Sequence, residues 1–150
     1  MRIVQLLPEF KIGGAELMCK NLCLELKRQG EDVQAVSFYH TQNHITDELS
    51  SYGIPIYYLD KRKGFDLSIL FKLKKLLIDL QPDAVHTHLP ILHYTGLLCF
   101  MLKIPVRIHT VHNLAQYEAG KLQRTFETFC FRMRINKQTE EITIAFFPFL

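Results

Sequence analysis

The sequence predicts an α/β fold, an open parallel sheet with helices on both faces. Short apolar runs that read as strands alternate with stretches of helical periodicity, and the connections between them are short. The polar residues best suited to chemistry fall just after the strands. Right-handed crossovers put every strand's carboxyl end on one edge, and in open sheets that edge carries the ligand.

Arg2 to Leu7, closed by Pro8, reads as a buried strand. Gly13-Gly14 opens a helix from about Ala15 to Gln29, with Leu17, Met18, Leu22 and Leu26 at helical spacing and Gly30 as its stop. Val33 to Tyr39 forms a second strand, and Ile54 to Leu59, after Gly53, a third. Phe65 to Leu80 is the clearest helix: Phe65, Ile69, Leu73, Leu76, Leu77 and Leu80 share a face, and Gln81-Pro82 ends it. Asp83 to Thr87 is a fourth strand, Pro90 begins another helix, and Val106 to Val111 is a fifth strand. Tyr117 to Met133 reads as helical again.

A chain of 150 residues, 48% of them apolar, fits one domain with a packed core. The net charge of +3 is mild and no basic stripe is present, so nucleic acid is not an expected partner. The longest apolar run, Ile91 to Leu102, is broken by His93, Tyr94 and Thr95. It falls short of the roughly 20 apolar residues of a spanning helix, so a buried helix is expected. Cys19 and Cys23 stand one helical turn apart, and Cys99 and Cys130 also fall in helical stretches. Without a CxxC pair or a secretory leader, they read as small apolar core residues in a reducing, cytoplasmic protein.

Three constellations are expected on the carboxyl edge. Lys11-Ile12-Gly13-Gly14-Ala15-Glu16 follows the first strand and starts a helix, where free amides favour an anion such as a diphosphate. It lacks the GxGxxG dinucleotide fingerprint, and an ordinary tight turn would give the same pair. In Asp83-Ala-Val-His86-Thr87-His88-Leu89-Pro90, strand alternation puts His86 and His88 on one side, with His88 at the carboxyl end. A His-x-His pair could hold a metal, but few carboxylates stand near to complete it, so a hydrogen-bonded His86 under the cleft is expected instead. His109-Thr110-Val111-His112-Asn113 closes the fifth strand, bringing His112 and Asn113 to the same edge.

Pro8, Gly13-Gly14-Ala15-Glu16, Gly30, Gly53-Ile54-Pro55, Pro82-Asp83-Ala-Val-His86-Thr-His88 and Thr110-Val-His112-Asn113, in this order and spacing, resemble the amino-terminal domain of family 4 glycosyltransferases. The resemblance runs from Met1 to about Ala145. It implies one Rossmann-like half of a GT-B fold, in which two such domains face each other across a cleft. It also implies transfer of a sugar from a nucleotide-activated donor to a glycan or lipid-linked acceptor, with retention of configuration. No metal or bound cofactor is implied, the nucleotide-sugar being a cosubstrate. Gly13 and Gly14 would lie near the donor diphosphate or the acceptor, and His88 would line the acceptor side. His112 would face the transferred sugar as the catalytic residue, with Asn113 beside it as a substrate-binding group.

Glu141-Ile-Thr-Ile-Ala145 begins as the family's next strand does, then turns into Phe146-Phe147-Pro148-Phe149-Leu150. The expectation is therefore an incomplete amino-terminal domain over residues 1–145, an abnormal apolar tail over 146–150, and no carboxyl-terminal donor-binding domain. Such a chain should transfer little sugar alone. Two other readings remain open: a non-catalytic binding module or split subunit that pairs with a separate carboxyl-terminal half, and a metal-dependent hydrolase using the His-x-His pair. Lys61-Arg62-Lys63 with Lys72, Lys74 and Lys75 makes the third-strand exit and the following helix basic. That pattern suits peripheral contact with the inner face of a membrane, or simply a solvated helix face.

Overall fold

The computed structural model describes residues 1–64, 66–89, 91–111 and 140–145. In chain order the elements are β1 (Arg2–Leu7), α1 (Gly14–Arg28), β2 (Asp32–Ser37), α2 (His44–Ser51), β3 (Ile56–Tyr58), α3 (Ser68–Leu80), β4 (Ala84–His88), α4 (Leu92–Met101), β5 (Val106–Val111) and β6 (Glu140–Ala145). The strands form one six-stranded sheet in the order β3-β2-β1-β4-β5-β6, with every pairing parallel. The expected open α/β sheet is present, and β6 continues it beside β5, with Val111 opposite Ala145.

Alternation along β1 divides the core. Val4 and Leu6 pack with Val36, Ile69, Leu73 and Leu98 beneath α3 and α4. Leu7 lies in a second cluster with Cys19, Cys23, Val33, Ala35, Ile45 and Leu49 beneath α1 and α2. Helices thus cover both faces. Chain progress reverses between β1 and β4, which are hydrogen-bonded neighbours with Leu6 opposite Thr87. The carboxyl ends of these two strands flank the switch point where open sheets of this kind bind ligands.

Element boundaries differ from expectation for local reasons. The stretch between the expected second and third strands, to which the sequence assigns no element, holds α2. Asn43 caps that helix by accepting from the amides of Ile45 (2.9 Å) and Thr46 (3.3 Å), while the Thr46 hydroxyl accepts from the Asn43 amide (2.9 Å). β3 is shorter than Ile54 to Leu59, since Pro55 has no amide to donate and Asp60 turns away with φ of 50°. α3 begins at Ser68, where Asp66 takes both the Ser68 amide (3.0 Å) and hydroxyl (2.6 Å). Phe65 and Pro90, the expected starts of α3 and α4, lie outside the described residues, as do the expected helix from Tyr117 to Met133 and the 146–150 tail.

Candidate functional site

β1 delivers the chain to the Gly13-Gly14 turn. Gly13 caps α1 and, having no side chain, makes no capping hydrogen bond to the amides of the first turn. A β-carbon built on Gly14 meets nothing within 4 Å, leaving open room over the helix start. On Gly13 it would meet the Glu16 carboxylate at 2.5 Å. Glu16 therefore leans over the turn, a first-turn carboxylate favoured by the helix dipole, and an incoming anion has to displace it.

β4 delivers His86 and His88 on one side of the sheet, as alternation requires. Both are buried, with ring centroids 4.0 Å apart. His86 Nε2 meets the Thr110 hydroxyl at 2.7 Å. His88 Nε2 lies 2.9 Å from Gln5 Oε1; a carbonyl oxygen only accepts, so this ring nitrogen carries the proton. On the opposite face, the Thr87 hydroxyl lies 3.3 Å from the Ile108 carbonyl and 2.8 Å from His109 Nδ1, to which it is hydrogen-bonded. Gln5, His86, His88, Thr110, Thr87 and His109 form a polar layer across β1, β4 and β5. Buried polar groups stay in a core only when hydrogen-bonded, so this layer ties the switch-point strands together.

Immediately beyond His88, Leu89 adopts φ of 60°. A left-handed apolar residue is costly, by about 1–3 kcal/mol, and the surrounding structure must hold it there. It turns the chain sharply from β4 toward α4. Gly13, Gly14 and His88 thus share the carboxyl edge. His112 and Asn113 follow β5 directly but lie outside the described residues.

Among the described residues no group of three His, Cys, Asp or Glu side chains is placed to hold a metal. Nε2 of each histidine in the His-x-His pair is engaged in a hydrogen bond. Cys19, Cys23 and Cys99 are unpaired and buried; Cys130 lies outside the described residues. Burial pushes the Cys99 thiol up to about 12 and, with Cys23 beside it, raises Cys19 as well. All three are packed as small apolar members of the core.

Sequence reasoning passed over a concave site on the same edge, where Tyr39, Lys61, His93 and Tyr94 converge. Its signal was present: His93 and Tyr94 interrupt the apolar run of α4, and Lys61 follows β3. The basic stretch is also not one solvated face. Lys61 folds inward, and Lys72 Nζ donates to the Leu59 carbonyl at 2.7 Å.

Residues 12–138 match the model of Glycosyltransferase Family 4. The chain belongs to that family. It is 36% identical over 99 residues to the capsular polysaccharide biosynthesis glycosyltransferase CapH of Staphylococcus aureus, an alignment covering 65% of this chain and 26% of that protein. Its fold matches MurG of Acinetobacter baumannii with a TM-score of 0.64 at 16% identity, over 96% of this chain and 44% of that one. It also matches Anabaena Alr3699/HepE, solved with UDP and glucose, with a TM-score of 0.63 at 14% identity, over 97% and 45%. The family 4 chain described here thus spans about a quarter of its curated relative and under half of these structures. Among the described residues no helix is long and apolar enough to cross a membrane.

Proposed function

We propose that the chain forms the acceptor-side domain of a glycosyltransferase that moves a sugar from a nucleotide-activated donor to a glycan or lipid-linked acceptor, with retention of configuration. The observation that carries this reading is the switch point between β1 and β4. There an uncapped helix start with open space over Gly14 stands beside the strand that ends in His88, in a chain of family 4. As a sugar leaves its nucleotide, the diphosphate gains negative charge, and preorganised amides at a helix start suit that change. Gly13 and Gly14 serve the diphosphate or the acceptor. His88 holds the floor of the edge through Gln5, and His112, with Asn113, faces the transferred sugar.

Transfer then calls for a second domain facing this edge, on the same polypeptide or a separate one, because the reactants must be held together for useful rates. The test is transfer from uridine- and thymidine-diphosphate sugars by the purified chain, alone and paired with a second glycosyltransferase domain. The paired form should transfer with retained anomeric configuration, His112→Ala should abolish it, and the chain alone should give little product. Robust transfer by the chain alone, or inverted product, contradicts the reading.

Peripheral membrane contact on the cytoplasmic side has its own support. Leu67, Phe71 and Ile78 are exposed at the start and along one side of α3, with exposed Lys74 and Lys75 among them. An apolar strip flanked by cations fits an anionic lipid surface. Co-sedimentation with anionic but not neutral vesicles, lost in Phe71→Ser, is expected; binding indifferent to lipid charge counts against it.

A further inference from the structure

The exits of β1, β2 and β3 and the start of α4 border an open pocket of about 310 Å³, lined by Pro8, Tyr39, Lys61, Ile91, His93 and Tyr94. Among the described residues its lining holds one ammonium and one imidazole between apolar and aromatic walls, and no carboxylate. Asp60, left-handed at the end of β3, turns the chain so that the Lys61 amide bonds to the Phe38 carbonyl at 2.7 Å and its side chain enters the cavity. Lys61 Nζ lies 5.5 Å from the Tyr39 ring centroid and 5.7 Å from that of Tyr94. It donates to the Arg62 carbonyl at 3.1 Å, to the Gly64 carbonyl, and to the Tyr39 hydroxyl at 3.3 Å. These contacts hold the cation in place without neutralising it, since no carboxylate among the described residues pairs with it. The contact to Tyr39 is a long one that an incoming oxygen could replace.

His93 supplies the second observation. Its Nδ1 is buried with no hydrogen-bond partner. Two other buried side-chain atoms among the described residues share that state, Gln34 Oε1 and Arg107 Nε. They stand in the amino halves of β2 and β5, whereas His93 borders the cavity. Burial, and then the Lys61 charge, hold the His93 ring below the usual histidine range, so the two groups feel each other across the same space. A fixed, uncompensated cation in apolar walls attracts an anion more strongly than one in open water. The half-buried His93 ring borders the same space, and its now-covered Nδ1 becomes a donor to that anion once the ring turns and that nitrogen carries the proton.

We propose that this cavity binds an oxyanion, a phosphate or carboxylate carried by the acceptor, through the Lys61 charge and the His93 ring. The inference rests on the reading of the carboxyl edge as the acceptor face. It gives that acceptor a chemical class.

The test follows histidine ring resonances of the whole chain by NMR, with His93→Gln identifying the His93 signal. Inorganic phosphate, glucuronate and glucose are titrated separately. A saturable movement of the His93 signal with phosphate points to a phosphorylated acceptor and with glucuronate to an acidic sugar; either supports the proposal. Lys61→Met should weaken the binding about tenfold or more, and Lys61→Arg should keep it, which separates lost charge from a disturbed loop. The Tyr94 amide reports binding in His93→Gln, where it should also weaken. No saturable movement with either anion, an equal response to glucose, or undiminished binding in Lys61→Met would overturn it. Binding is read without transfer, so an enzyme that binds the anion yet transfers no sugar counts against the proposed function alone.

Discussion

At the amino edge of the sheet, Arg2 Nε pairs with Asp32 at 2.7 Å, its Nη1 donates to the Leu80 carbonyl at 2.6 Å, and its amide donates to Asp83 at 2.7 Å. Left-handed Gln81 and Lys103 close α3 and α4 there, as helix ends commonly do. The carboxyl edge is finished differently. Its helix start at Gly13 has no side-chain cap, Leu89 is left-handed outside any helix end, and Lys61 and His93 face a cavity with charge and hydrogen-bonding capacity left over. Around Arg2 the amino edge ties its charges down locally, although Gln34 and Arg107 each keep an unpartnered buried atom in the amino halves of β2 and β5. The carboxyl edge instead holds a cation ready beside a pocket. Sites for ligands are built in the second way, at some cost in stability.

That contrast is open to attack by substitution. The largest effect is expected for Gly14→Ala. A methyl there meets nothing, and alanine is the better helix former, so stability should hold or rise by up to about 1 kcal/mol. Transfer by the chain paired with a second domain should still fall, by about a hundredfold if the methyl displaces the bound diphosphate by an ångström. Thermal melts beside rate measurements check the dissociation; parallel loss of both would make Gly14 a folding residue.

Gln5→Leu comes next. It leaves the buried His88 ring without its acceptor and should cost about 1–3 kcal/mol in denaturant unfolding. An unchanged midpoint would mean that the polar layer does not tie β1 to β4.

Asp66→Asn tests the loop that carries Lys61. The Ser68 hydroxyl and the Arg62 amide hold the Asp66 carboxyl at about 2, down from an ordinary 3.8. A depressed carboxyl stabilises the fold above its unfolded value and loses that contribution as pH falls through the folded one. Native protein should therefore exceed the variant in stability at pH 7, and the gap should close between pH 4 and 2. A gap independent of pH would rule out the carboxylate as its source.

Arg2→Gln should have the smallest effect, a slight loss of stability that salt reduces further, because its ion pair with Asp32 is half exposed. A larger loss would show that the amino edge carries more of the fold than its geometry implies.

Most of the fold was legible in the sequence because five strands and three helices are long enough to show their period. α2 escaped notice because its buried face rests on Ile45, Thr46 and Leu49, too few apolar positions for a pattern. The Asn43 to Thr46 capping spacing was the signal available. In the candidate site, Gly13, Gly14 and the His86–His88 pair were legible from their places at strand ends. Gln5 was not, since a lone glutamine in an apolar strand gives no hint that it will meet a histidine 83 residues away. Lys61 looked like part of a basic surface because its inward course depends on the left-handed turn at Asp60, a tertiary outcome that local sequence does not encode.

The most direct test follows amide hydrogen exchange in the chain paired with a second glycosyltransferase domain, with and without a nucleotide-sugar and acceptor. The account predicts added protection at Gly13 to Leu17, at Leu89 to Tyr94 and around His112, with none at Leu77 to Asp83 or Leu102 to Pro105. Protection confined to that amino edge, or spread equally over both, would contradict it.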